Sequence, residues 1–210
     1  MKPKFNNLSE NELNYKDILT YIAVRSFYNH TDKYCYPSYK ALSELSGLSR
    51  KFISLSVKRL YKAGFFSLWK VGKRRVSHWY LFDEMVKFQR IPLSLFSAPL
   101  SVHQKSMLLV LSEYCELGIC FQTITEIASS SGLSYRTIHR QYQALCLKGY
   151  ILEGMYADPL EETLTKYFKF SNELKWKHQI YNRTNAEDDS SDYAEKMICI
   201  ATKFFYRSRK

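Results

Sequence analysis

Between Glu44 and Asp83 the chain carries nine cations and no acid: Arg50, Lys51, Lys58, Arg59, Lys62, Lys70, Lys73, Arg74 and Arg75. Such a set neutralises a polyanion. It does not supply the carboxylates or activated nucleophile that a nuclease or recombinase would need. No GxxxxGK[ST], GxSxG or HExxH occurs, so phosphate-loop, hydrolase-elbow and zinc-protease chemistry have no carrier. Cys115 and Cys120 have no His partner nearby, and Cys35, Cys146 and Cys199 read as packing residues. No catalytic residue, metal site or cofactor is expected.

The charge is concentrated. Residues 1–90 hold 17 basic and 7 acidic side chains, and residues 91–170 hold 6 and 7, so nearly all of the net +11 lies in the first segment. A one-signed region repels itself unless a polyanion neutralises it, and nucleic acid is the obvious polyanion. Across the 210 residues, 46% are hydrophobic and 16% aromatic, which is enough for a packed core. A membrane span needs about 20 apolar residues, and the longest apolar runs, such as Met107 to Leu111, are far shorter. The opening MKPKFNNLSE has no apolar signal core, and the odd, irregularly spaced cysteines suit reduced thiols, so a cytoplasmic protein is expected.

The elements that would carry the cations occur twice, 85 residues apart. LSGLSRKFISLSVKRLYKAGFF at 45–66 aligns with SSGLSYRTIHRQYQALCLKGYI at 130–151. Gly47 and Gly132 suit a positive-φ turn between two helices. Ser49 and Ser134 suit the N-cap of the helix that follows. Ile53, Val57 and Leu60, like Ile138, Tyr142 and Leu145, form one buried helical stripe. Gly64 and Gly149 then close that helix. Each copy predicts a long apolar helix (about Lys16 to Tyr28; about Val102 to Glu116), a short helix, the capped helix and a β-hairpin. The first hairpin tip is basic, GKRR, and the second is acidic, ADPLEE. The expected class is mainly α with small β-hairpin wings (α+β), as two tandem winged helix-turn-helix domains at 1–90 and 91–181. Residues 182–210 read as an acidic linker and a C-terminal helix, with Tyr193, Met197, Ala201 and Phe204 on one face.

The segments CYPSYKALSELSGLSRKFISLSVKRLYKAGFF and IPLSLFSAPLSVHQKSMLLVLSEY resemble bacterial winged helix-turn-helix proteins found among plasmid and phage replication initiators and related regulators. The resemblance covers 17–82 and 101–151 and ends by 171. It implies a double-stranded DNA partner and a role in replication initiation or maintenance of a plasmid, phage or other mobile element. A transcriptional repressor or activator is the alternative in the same class. A winged-helix protein-interaction scaffold is the alternative from another class.

In such folds the second helix of the motif enters the major groove. Its candidate contacts are Ser49, Arg50, Lys51, Ser54, Lys58, Arg59 and Lys62. Leu55 would meet a thymine methyl or pack beneath the wing. Lys73, Arg74 and Arg75 are candidates for the minor groove, whose negative potential attracts Arg. Trp69 and Trp79 read as a cross-strand pair holding the hairpin rather than as a base-stacking platform. Tyr34, Tyr36 and Tyr39 read as packing. The second copy presents Tyr135, Arg136, His139, Arg140 and Gln143; its acidic wing leaves it docking by helix alone or contacting protein, with DNA favoured. The C-terminal helix is expected to serve a homodimer or a replication-machinery partner, or to dock on its own domain.

Overall fold

The computed structural model describes residues 8–29, 31–72, 77–83, 87–157, 164–176, 180–182 and 197–201. The helices are α1 Asp17–Arg25, α2 Tyr39–Ser46, α3 Arg50–Lys62, α4 Ser94–Ser97, α5 Val102–Ser112, α6 Ile124–Ser131 and α7 Tyr135–Leu147. The strands are β1 Tyr34–Cys35, β2 Ser67–Val71, β3 Ser77–Leu81, β4 Lys87–Pro92, β5 Ile119–Cys120, β6 Ile151–Ala157, β7 Leu164–Phe170, β8 Ile180–Asn182 and β9 Met197–Ala201. Helices with small antiparallel sheets make this an α+β chain, as expected.

Local chemistry sets the helix ends. Ser38 Oγ accepts from Ala41 N–H at 3.1 Å and opens α2. Gly47 (φ 75°) and Gly132 (φ 71°) close α2 and α6 in the left-handed region, where a residue with a Cβ would be strained. Ser49 accepts from Phe52 N–H at 3.2 Å and Ser134 from Thr137 N–H at 3.2 Å, so α3 and α7 carry the same cap. The 85-residue repeat runs further than the sequence comparison reached. Thr123, cap of α6, stands opposite Ser38 in it, and β5 with Cys120 stands opposite β1 with Cys35. Each copy therefore has a three-stranded sheet, β1–β3–β2 and β5–β7–β6, in place of a bare hairpin.

The two copies share one core. Every residue of α1 is buried, as is nearly all of α5, because both helices are apolar around most of their circumference. Ile18, Leu19 and Ile22 belong to the same buried cluster as Met107, Leu108 and Leu111. Two hydrogen bonds among the described residues, and one close approach of a glycine backbone, join the copies. Leu8 N–H donates to Ser131 O at 3.1 Å, the Tyr15 hydroxyl bonds His103 Nδ1, and a Cβ on Gly47 would lie 3.3 Å from Val102 Cγ2.

Two expectations are corrected. The boundary at 90/91 falls inside β4, whose last residue is Pro92. The C-terminal helix does not form at 197–201. That segment is β9, antiparallel to β4, with Ile91 opposite Ile198 and Phe88 opposite Ala201. Ile198 and Ile200 are β-branched and favour a strand, and β4 offers an open edge, which β8 fills on its other side. Tyr193, Phe204 and the linker at 183–191 lie outside the described residues. Among the described residues, no helix is long and apolar enough to cross a membrane.

Candidate nucleic-acid interface

The sequence treats the cations of α3 as equivalent, and the fold separates them. Ile53, Val57 and Leu60 are buried, so α3 turns its other side outward. Arg50, Lys51 and Lys58 are exposed along it. None of them forms an ion pair among the described residues. Arg59 turns inward. Its Nε and Nη2 donate to the two carboxylate oxygens of Asp17 at 2.7 Å each. That carboxylate holds the guanidinium charged, raising its pKa against the opposing pull of burial. Lys62 donates to Glu12 at 2.6 Å on the surface. Arg59 and Lys62 therefore fix α3 to the segment that begins the fold. Phe52 lies between Lys16, 4.6 Å above its ring, and Arg59, 5.3 Å away.

Ser49 is occupied as the cap. Ser54 is half-buried near Tyr39, whose phenol is pushed up by burial and drawn partly back by Ser54. Tyr39 stacks on His78 at 5.4 Å and 5°. Burial first, then Lys70, lowers the His78 pKa and favours the neutral ring. Leu55 is 46% exposed and stands among the outward cations rather than sealed beneath the wing.

The wing strands pair in register from Ser67↔Leu81 to Val71↔Ser77, with Trp69 opposite Trp79 as expected. They lead directly to Lys73, Arg74 and Arg75, which lie outside the described residues. The same holds for the acidic tip of the second wing, with Asp158, Glu161 and Glu162, although β6 and β7 pair from Ile151↔Phe170 to Ala157↔Leu164.

On α7, Tyr135 is half-exposed and stacks on His139 at 5.2 Å and 17°. Arg136, Arg140 and Gln143 are exposed. Arg140 lies close enough to the Tyr15–His103 contact to act on both groups: burial raises the Tyr15 phenol and Arg140 draws it partly back, while burial, then Lys16 and Arg140, lower the His103 pKa. It therefore stands at the seam between the copies. His139 and Gln143 line an open hollow of about 390 Å³ with Tyr142, Cys146, Leu147 and Glu153. Tyr142 donates to Glu153 at 2.8 Å at its floor. Among the described residues, no group of three or more His, Cys, Asp or Glu side chains is placed to hold a metal ion.

A capped helix presenting outward cations, preceded by a short helix and a left-handed glycine turn, is the arrangement of a helix-turn-helix. In agreement, residues 11–65 match a family described as a helix-turn-helix domain, which spans α1 through α3. No curated protein matches the chain.

Proposed function

We propose that the chain is a sequence-specific double-stranded DNA-binding protein built from tandem winged helices. α3 reads the major groove through Arg50, Lys51 and Lys58, and Lys73, Arg74 and Arg75 of the first wing engage the adjacent backbone or minor groove. α7 adds a weaker contact through Tyr135, Arg136, His139 and Gln143. It acts by binding and needs no cofactor. The observation that carries this reading is the sorting of charge on α3: two cations are tied to Asp17 and Glu12, and three face outward without an ion pair among the described residues. The resemblance to replication initiators supports a role at the origin of a plasmid, phage or mobile element. A repressor or activator would use the same surface, so the position of the site decides between them. A footprint over direct repeats in an origin supports initiation, and one overlapping a promoter supports regulation.

Salt dependence tests the binding itself. Of the nine cations in the acid-free window, Arg59 and Lys62 are internally paired, which leaves seven. If about four of these meet phosphates, log K should fall with log [salt] at a slope of about −4, by the rule of roughly −0.9 per contact. A slope shallower than about −2 would remove α3 and the first wing as the DNA face.

A further inference from the structure

The first wing carries a second surface, on the opposite side of its sheet from the helices. In β1–β3–β2, Cys35, Leu68 and Tyr80 face inward and are buried or half-buried. The alternation of a strand puts Tyr34, Tyr36, Trp79 and Trp69 on the other side. Tyr34 and Trp79 lie face to face, 4.6 Å apart and 8° from parallel. Tyr36 adjoins Trp79 at 5.9 Å and 31°. Trp69 sits opposite Trp79 in the register and is 59% exposed, and Tyr36 is 63% exposed. At the sheet edge Trp69 and Tyr61 of α3 line an open groove of about 570 Å³ with Leu68, Lys70 and Val71. The rings of Tyr34, Tyr36 and Trp79 thus form one group, with Trp69 beside it in the register and Tyr61 of α3 across the edge groove from Trp69.

We infer that this aromatic face is a stacking platform for unpaired bases, so that the first wing binds single-stranded nucleic acid as well as supporting duplex recognition. A Trp pair needed only to hold a hairpin would gain most by being covered, yet Trp69 is left largely open. Stacked aromatic rings bordered by cations are what a single strand uses, since every base offers a π-face and every linkage a phosphate. The charge favours that occupant over a protein. Exposed Lys33 directly precedes Tyr34, and exposed Lys70, on the other face of β2 by the same alternation, lines the edge groove with Trp69; the sequence continues from Val71 into Lys73, Arg74 and Arg75. Asp32 precedes Lys33 at the end of the sheet away from that tip and accepts from Asn29 Nδ2 at 2.6 Å, and the sequence between Glu44 and Asp83 carries no acid. The corresponding face of the second wing provides a contrast. It carries Phe121, Tyr156 and Tyr167, with Tyr167 lying across Gly154. It leads into the acidic ADPLEE tip, so it should repel the same strand.

The test uses the full chain with an oligothymidylate of about 15 nucleotides and a mixed-sequence duplex. Oligothymidylate should quench tryptophan fluorescence. Trp69→Ala should weaken oligothymidylate binding about tenfold, and Tyr36→Ala about fivefold, by the range found for base–aromatic stacking. Duplex affinity should stay within about twofold for both variants. Trp69→Phe should restore most of the loss, and Phe121→Ala should have no effect. If Trp69→Ala unfolds the chain, Tyr36→Ala decides alone. Unchanged oligothymidylate affinity in the folded variants overturns the platform. So does a Trp69→Ala variant that changes only the sedimenting mass of the free protein, which would make the face a protein interface. Loss of the salt-dependent duplex contact would sink the duplex reading and leave the platform standing.

Discussion

At the scale of single residues, α3 shows how one side-chain type divides between structure and binding. Arg50 and Arg59 are nine positions apart on one helix. Arg59 is two-thirds or more covered and bonded twice to a carboxylate that is itself fully buried. Asp17 also accepts from Asn14 N–H at 2.8 Å, so it joins α3 to the entry of α1. Removing one partner of such a pair leaves an uncompensated buried charge. Arg59→Ala should therefore cost about 3 kcal/mol of folding stability, while the folded fraction keeps its base preference. Arg50→Ala should do the reverse. It should cost about 1–3 kcal/mol in binding and relax preference at one base position. It should leave stability level or slightly higher, because a cation in the first turn opposes the helix dipole. Urea unfolding and duplex titration of both variants separate the roles. Equal loss of cognate and random binding in Arg50→Ala would take it out of the base-reading set. This division could not be read from the sequence, where Asp17 and Glu12 lie 42 and 50 positions from their partners.

At the scale of elements, legibility follows the range of the signal. The two capped helix pairs and the strand pairs that follow them were legible because their cues are local: a capping Ser, a left-handed Gly, a 3.6-residue stripe, then alternation. Their doubling at a fixed offset reinforced each cue. The third strand of each sheet was missed although the repeat held its signal, with Cys35 and Cys120 at the same offset as Gly47 and Gly132. β4 was missed and β9 misread for a different reason. Their partners are about a hundred residues apart, and a short apolar run fits a helix or a strand until its neighbour is known. Met197 and Ala201 satisfied the helical spacing; what decided the outcome was the edge of β4. Truncation after residue 196 should therefore lower the melting temperature and raise light scattering on heating, since it bares a strand edge. A truncated protein that melts and scatters like the full chain would show that β9 contributes nothing to the fold.

At the scale of the whole molecule, α1 and α5 make the two copies one body, and two titratable groups sit at or near their junction. Glu113 caps the end of α5 and is among the charges that raise the Tyr21 phenol on α1, after burial itself. Its Oε2 is enclosed without a hydrogen-bond partner, although the residue as a whole is half-buried, and burial pushes its carboxyl up to about 8. The unfolded chain would release that proton near 4.5. Between those values the folded state binds more protons than the unfolded state, so this contribution is complete below about 4.5 and is lost as pH rises through about 8. His103, bonded to Tyr15 of the first copy, works in the opposite direction. Burial, then Lys16 and Arg140, lower its pKa below 6.5, so its share is present above 6.5 and is lost as pH falls through the folded value. Glu113→Gln keeps the shape and removes the titration. Relative to wild type, the variant should gain stability on the order of 2–3 kcal/mol between pH 5 and pH 8. Urea midpoints of the two proteins across that range measure the gap. A gap that stays constant with pH would mean that the Glu113 carboxyl is already ionised in the folded protein, and that the junction between the copies is wetter than its packing indicates.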